Sequence, residues 1–135
     1  MADAAAIAIE MLDKVNTRDI DGFRDLLHPD YTYTGADGVE QEGVDVGVGV
    51  VVTFVTAFPD LKLTLRNQYT DGDVTVIEMT GTGTHQAELE GIPATGKSVS
   101  VNVVDVVTVK DGKVLSEREY YDQLSMMQQL GVIPT

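Results

Sequence analysis

From Leu61 to Tyr121 the chain is written as long alternating segments, and this pattern limits its fold more than any other feature. Leu61, Leu63, Leu65, Asn67 and Tyr69 alternate with Lys62, Thr64, Arg66 and Gln68, the period of a half-buried strand. Asp71-Gly72-Asp73 makes a turn, and a second strand runs from Val74 towards His85. A loop at Gly91–Gly96 precedes a third strand that continues through Val109. Asp111-Gly112 is a strong hairpin signal, so Val114 to Tyr121 pairs back on it. A meander of this length needs other elements against one of its faces.

Those elements are in the first half and at the end. Asp3 can cap a helix over residues 4–16, with Ile7, Met11, Leu12 and Val15 on one face. A second, short helix is predicted from Asp19, with Ile20, Phe23, Leu26 and Leu27 as its apolar face. It ends at His28-Pro29, because the residue before a proline resists the helical region. Residues 31–34 read as a short strand. Residues 43–58 stay open: their β-branched residues and internal glycines favour a strand, yet Val44, Val48, Val51, Val52, Val55 and Phe58 also make a helical stripe. A terminal helix opens at Asp122 or Gln123 and stops at Gly131. The expectation is one α+β domain over residues 1–135, its bent sheet wrapping a core or pocket.

Charge narrows the partners. The chain carries 22 Asp+Glu against 9 Lys+Arg, a net charge of −13, and its cations are scattered. A nucleic-acid or membrane surface would need a basic patch, so neither is expected as a partner. No stretch approaches the roughly 18 apolar residues of a membrane span. The first residues carry an acid where a signal peptide needs bases, so a cytoplasmic location is the default. Without cysteine there is no disulfide, thiolate nucleophile or thiolate metal site. The acids are 14 Asp and 8 Glu, with only 5 Lys, a balance that suits a cytoplasm of molar salt. An ordinary acidic bacterial protein is the alternative.

Polar residues that share a face with apolar ones are the candidates for chemistry, because an unpaired buried charge is costly. His85 lies in the row of Thr75, Ile77, Met79, Gly81 and Gly83. Asp105 is the single charge in the row Val101, Val103, Val107 and Val109. Desolvation among valines raises a carboxylate's pKa, which suits a general acid or base near neutrality. The structural alternatives are a surface position or an ion pair with Arg66 or Arg118. His28, in a Leu-Leu-His-Pro segment, fits capping or packing better than chemistry. Glu117 and Glu119 share a face and could form a carboxylate pair, though exposed strand acids are the commoner case. The two histidines lack zinc-site spacing, and no phosphate loop or nucleophile elbow occurs.

The ordered set Leu26-Leu-His-Pro-Asp-Tyr31, Ala57-Phe-Pro-Asp-Leu61, Gly81-Thr-Gly-Thr-His85, Gly91-Ile-Pro-Ala-Thr-Gly-Lys97, Val106-Val-Thr-Val-Lys-Asp-Gly-Lys-Val114 and Asp122-Gln-Leu-Ser-Met-Met-Gln-Gln-Leu-Gly131 resembles the SnoaL-like polyketide (ester) cyclases of the nuclear transport factor 2-like superfamily. The resemblance implies an α+β cone, with N-terminal helices on a strongly curved antiparallel sheet around an apolar pocket, and a helix for residues 43–58. It also implies aldol-type ring closure of an apolar carbonyl compound without metal or cofactor. Asp105 then takes the acid/base role and His85 is the pocket histidine, with Asn67 and Tyr69 as contacts to substrate oxygens. A homodimer through the open sheet face is implied as well. Tyr120 and Tyr121 stand where such sequences often carry Trp, and the valine-glycine run at 44–52 is unusual, which leaves the substrate open. The competing readings are a non-catalytic ligand-binding or dimerisation module of the same fold, and epoxide-hydrolase-like hydrolysis by a carboxylate pair.

Overall fold

The computed structural model describes residues 3–134; Met1, Ala2 and Thr135, which the sequence reading included in the domain and in the leader argument, lie outside them. Helix α1 (Ala4–Asn16) starts where Asp3 accepts the Ala6 N–H at 2.8 Å, a side-chain cap on an otherwise unpaired donor. It buries Ile7, Met11, Leu12 and Val15, the face read from the sequence. Asp19 caps α2 in the same way through Gly22. That helix covers only Ile20–Asp25, so Leu27 leaves it and opens strand β1 (Leu27–Thr34), opposite Val114. Pro29 is accommodated within β1, and the helix ends ahead of it rather than at it.

Strand β2 (Glu40–Glu42) is a short exposed edge that three polar residues gave no reason to expect. Residues 44–57 are helix α3 (Val44–Ala57), with Gly47, Val48, Val51 and Ala57 buried. Packing of its apolar stripe against the sheet overrides the poor helix propensity of valine and glycine. Strands β3 (Lys62–Asp71), β4 (Val74–Thr84), β5 (Ser98–Lys110) and β6 (Lys113–Tyr121) follow, and α4 (Gln123–Leu130) ends at Gly131 in the left-handed region.

The six strands form one sheet in the order β2-β1-β6-β5-β4-β3. The meander from β3 to β6 is antiparallel as expected, but β1 runs parallel to β6, so the sheet is mixed. α1 and α3 pack over its inner face and give one continuous core with Ile77, Met79 and Val107.

Two single-residue bulges decide which polar side chains enter that core. In β3, Leu65 faces Met79 and Asn67 faces Glu78, leaving Arg66 as an extra residue. Parity therefore flips, because strand faces alternate with a period of two. Gln68 turns inward, where its Nε2 donates to Ala5 O at 3.1 Å and to Thr75 Oγ1 at 3.0 Å. In β6, Val114 pairs with Val109 and Ser116 with Thr108, leaving Leu115 extra. Beyond it Glu117, Glu119 and Tyr121 point inward, and Arg118 and Tyr120 point out. Among the described residues no helix is long and apolar enough to cross a membrane.

Candidate active site

The inner face of the sheet and helices α1 and α3 enclose an apolar cavity of about 130 Å³. That volume is close to the roughly 150 Å³ that holds a single benzene ring. Met11, Val51, Phe54, Met79 and Val103 are typical of its wall. Its polar lining is limited to Asp105, Glu117 and Glu119 with Tyr33 and Tyr121, and contains no Lys, Arg or His among the described residues.

Asp105 is 2% exposed, within the valine row that singled it out. It stands opposite Glu119 across the β5–β6 ladder, and Glu117 lies two residues further along the same face. Neither cation considered as a partner reaches it. Arg66 Nε donates to Thr80 Oγ1 at 3.1 Å, and Arg118 lies on the outer face. Burial first, then the charge of Glu117 and a hydrogen bond with it, then the charge of Glu119, raise the Asp105 carboxyl well above the ordinary range.

The neighbours are shifted by the same physics. Burial and the Glu117 charge push Glu119 up to about 7, opposed by a hydrogen bond from Tyr33. The Tyr31 hydroxyl donates to Glu117 Oε2 at 2.5 Å. Burial and Glu117 push Tyr31 far above the usual phenol range, so it stays a donor. Tyr33 moves up through burial and Glu119. Tyr121 is pushed up to about 12 by burial, Glu119, Glu90 and Asp37. Such a cavity can hold an apolar molecule against groups able to take and give protons near neutral pH. The clustered carboxyls are not a metal-ligand set, and no other His, Asp and Glu group of that kind occurs among the described residues.

The other expected site residues lie elsewhere. His85 has the expected parity and is fully buried, yet it does not line the cavity. Its ring packs on Phe58 at 5.4 Å, and Nδ1 accepts the Thr95 N–H at 3.2 Å, beside Thr95 Oγ1 at 3.0 Å. The proton of the neutral ring therefore sits on Nε2. Asp105 pairs with Ile77, so His85 is displaced by eight residues along β4, roughly 25 Å of strand. Asn67 and Tyr69 are on the outer face because of the Arg66 bulge, with Tyr69 59% exposed. His28 is structural as expected, its Nδ1 accepting the Asp30 N–H at 3.0 Å.

Glu117 and Glu119 were weighed as a carboxylate pair against exposed strand acids, the commoner case, and Tyr31 and Tyr33 were expected only as strand residues. No alternation could have found the acids. Both rows of β6, Glu117-Glu119-Tyr121 and Ser116-Arg118-Tyr120, are polar, so only the bulge separates inside from outside.

Comparison with known proteins agrees with this architecture. The SnoaL-like polyketide cyclase family model matches residues 6–130. Aklanonic acid methyl ester cyclase DnrD of Streptomyces peucetius is 27% identical over 124 residues, 90% of this chain and 86% of that protein. AclR from Streptomyces galilaeus, proposed to be a hydroxylase, is 28% identical with a TM-score of 0.86, covering 98% of this chain and 87% of that one. A structure from Jannaschia sp. CCS1 shares the fold at 22% identity and a TM-score of 0.88, over 97% and 93% of the two chains. The fold is nuclear transport factor 2-like. With nearly the whole described length matched, and an acid-bearing apolar cavity inside this fold, the chain belongs to the SnoaL-like polyketide cyclase family.

Proposed function

We propose that this protein performs general acid/base chemistry on a small apolar carbonyl compound, closing a ring by an aldol-type reaction. Asp105 removes the proton alpha to a carbonyl, and the enolate attacks a second carbonyl of the same molecule. Protonated Glu119, with Tyr33 beside it, donates to the enolate oxygen as charge develops there. The observation that carries the reading is Asp105 itself, buried in an apolar cavity with no cation among the described residues to hold it ionised. His85 has no part in the transfer; it secures Phe58 and the loop at Thr95.

The cavity accommodates about one ring. A polar recess that shares Tyr33, Val50, Phe54 and Tyr121 with it would receive the remainder of a larger substrate. One relative is named a cyclase of a methyl ester and a structural neighbour a proposed hydroxylase, so family membership leaves the substrate open. The three clustered carboxyls also favour a second reading, water activation for hydrolysis of an epoxide. The outer sheet face, with Tyr69 and Tyr120 exposed, is the proposed homodimer surface.

A panel of apolar carbonyl compounds and epoxides, assayed across pH with Asp105→Asn alongside, separates these readings. Turnover of carbonyl compounds that Asp105→Asn abolishes supports ring closure. Turnover of epoxides alone supports hydrolysis. Binding without turnover in either protein leaves a non-catalytic ligand-binding module.

A further inference from the structure

Asp105 Oδ1 is enclosed by protein and meets no hydrogen-bond donor among the described residues, an arrangement that folded proteins rarely tolerate. The titratable side chains on the face of Asp105 are Glu117, Glu119 and Tyr121 from β6 and Tyr31 and Tyr33 from β1. β4 offers Ile77 opposite it, while α1 and α3 contribute only apolar groups to this wall. Glu117 is held from its far side by the Tyr31 hydroxyl at 2.5 Å. Tyr31 has no freedom to leave, since its buried ring is wedged against Gly47 of α3. Two acidic side chains thus adjoin, one with a fixed outer donor and one with a bare oxygen, and among the described residues no cation lines this wall.

We infer that Asp105 and Glu117 hold one proton between them and act as a single acid–base unit, with Tyr31 as the positioning residue that fixes Glu117. This rests on the reading of Asp105 as the reaction's base. The raised position of the Asp105 carboxyl is what such sharing produces. At rest Asp105 is protonated and donates to the Glu117 carboxylate, which also accepts from Tyr31. When substrate is seated, the cavity-facing oxygen of Asp105 takes the alpha proton as the shared proton moves to Glu117. The C–H electron pair becomes the enolate, so the single negative charge passes from the carboxyl pair to the substrate. After ring closure the new alkoxide takes a proton from Asp105, Glu117 returns the shared proton, and the unit is reset. No other reactant is consumed.

Carboxyl-carbon NMR titration of the full-length protein, labelled at Asp and Glu, reads this directly. In the wild type the Asp105 and Glu117 signals are expected to move together through two common steps. Glu117→Gln removes the like charge and supplies an amide donor, so Asp105 titrates in one step at lower pH. Tyr31→Phe removes a donor to the ionised form, so the common steps move to higher pH, and the limbs of the pH–rate profile move with them. Independent single-step curves in the wild type overturn the inference, as does an Asp105 curve that Glu117→Gln leaves in place. If Glu117→Gln does not fold, the wild-type curves alone decide. Common steps without turnover of any carbonyl compound retain the shared proton and refute the proposed function. Turnover with Asp105 titrating alone does the reverse.

Discussion

A Cβ placed on Gly47 would stand 2.6 Å from Tyr31 Cε1 and 2.8 Å from its hydroxyl oxygen. The glycine in the middle of α3 is therefore what lets Tyr31 lie beneath the helix and reach Glu117. Gly49, two residues on, has nothing within 4 Å of such an atom. The two glycines should respond oppositely to the same change. Gly49→Ala is expected to stabilise the fold by roughly 0.5–1 kcal/mol through helix propensity. Gly47→Ala is expected to destabilise it by about 1–3 kcal/mol through overpacking. Urea midpoints of both variants against wild type check this; equal gains would mean that Tyr31 is not confined.

The raised carboxyls give stability a pH slope. Glu119 sits near 4.5 when unperturbed and at about 7 in the fold, so between those values the folded state binds more protons. Its contribution is full below the ordinary Glu range and is lost as pH rises through about 7. Asp105 acts in the same direction. Glu119→Gln should flatten the wild-type decline between pH 5 and 8, by up to about 3 kcal/mol. Denaturant unfolding at stepped pH measures it, and an unchanged slope would contradict the raised position of the Glu119 carboxyl.

His85 should matter to stability and not to the proton transfer. Its ring fills space against Phe58 and anchors Thr95, so His85→Ala is expected to cost roughly 2–4 kcal/mol. The pH–rate profile should keep both limbs in this variant. Loss of one limb would place the imidazole in the reaction.

Salt should stabilise the protein. Against a net charge of −13 the described residues form two ion pairs with Lys or Arg, Lys14–Asp19 and Arg24–Asp45, each with an exposed member. Screening of the excess acids is expected to raise the thermal midpoint between dilute buffer and molar KCl. A flat or falling midpoint would count against adaptation to high salt.

The inward face of β4 and the place of Asp105 as the single charge in its row were legible because β4 and β5 pair without a bulge and their inner rows are mostly apolar, so parity has one reading. The helix at 44–57 followed from the family resemblance and not from propensity, since valine and glycine are poor helix formers and tertiary packing decides. Asn67 and Tyr69 were assigned inward, and the face of Glu117 and Glu119 stayed open, for one shared reason. A bulge adds a single residue and inverts every side chain after it, and at Arg66 and Leu115 nothing in the local pattern marks the extra residue. His85 had the correct face but the wrong place along the strand, because alternation records sides and not distance to a cavity.

Exchange of the alpha proton of a one-ring β-keto ester with deuterated solvent, followed by proton NMR, tests the role of Asp105 most directly. It needs no knowledge of the natural substrate and reports the first step alone. Wild type is expected to catalyse exchange, and Asp105→Asn to slow it by about 10²–10⁴-fold while still binding the ester. Equal exchange rates in the two proteins, with the ester bound in both, would contradict the account.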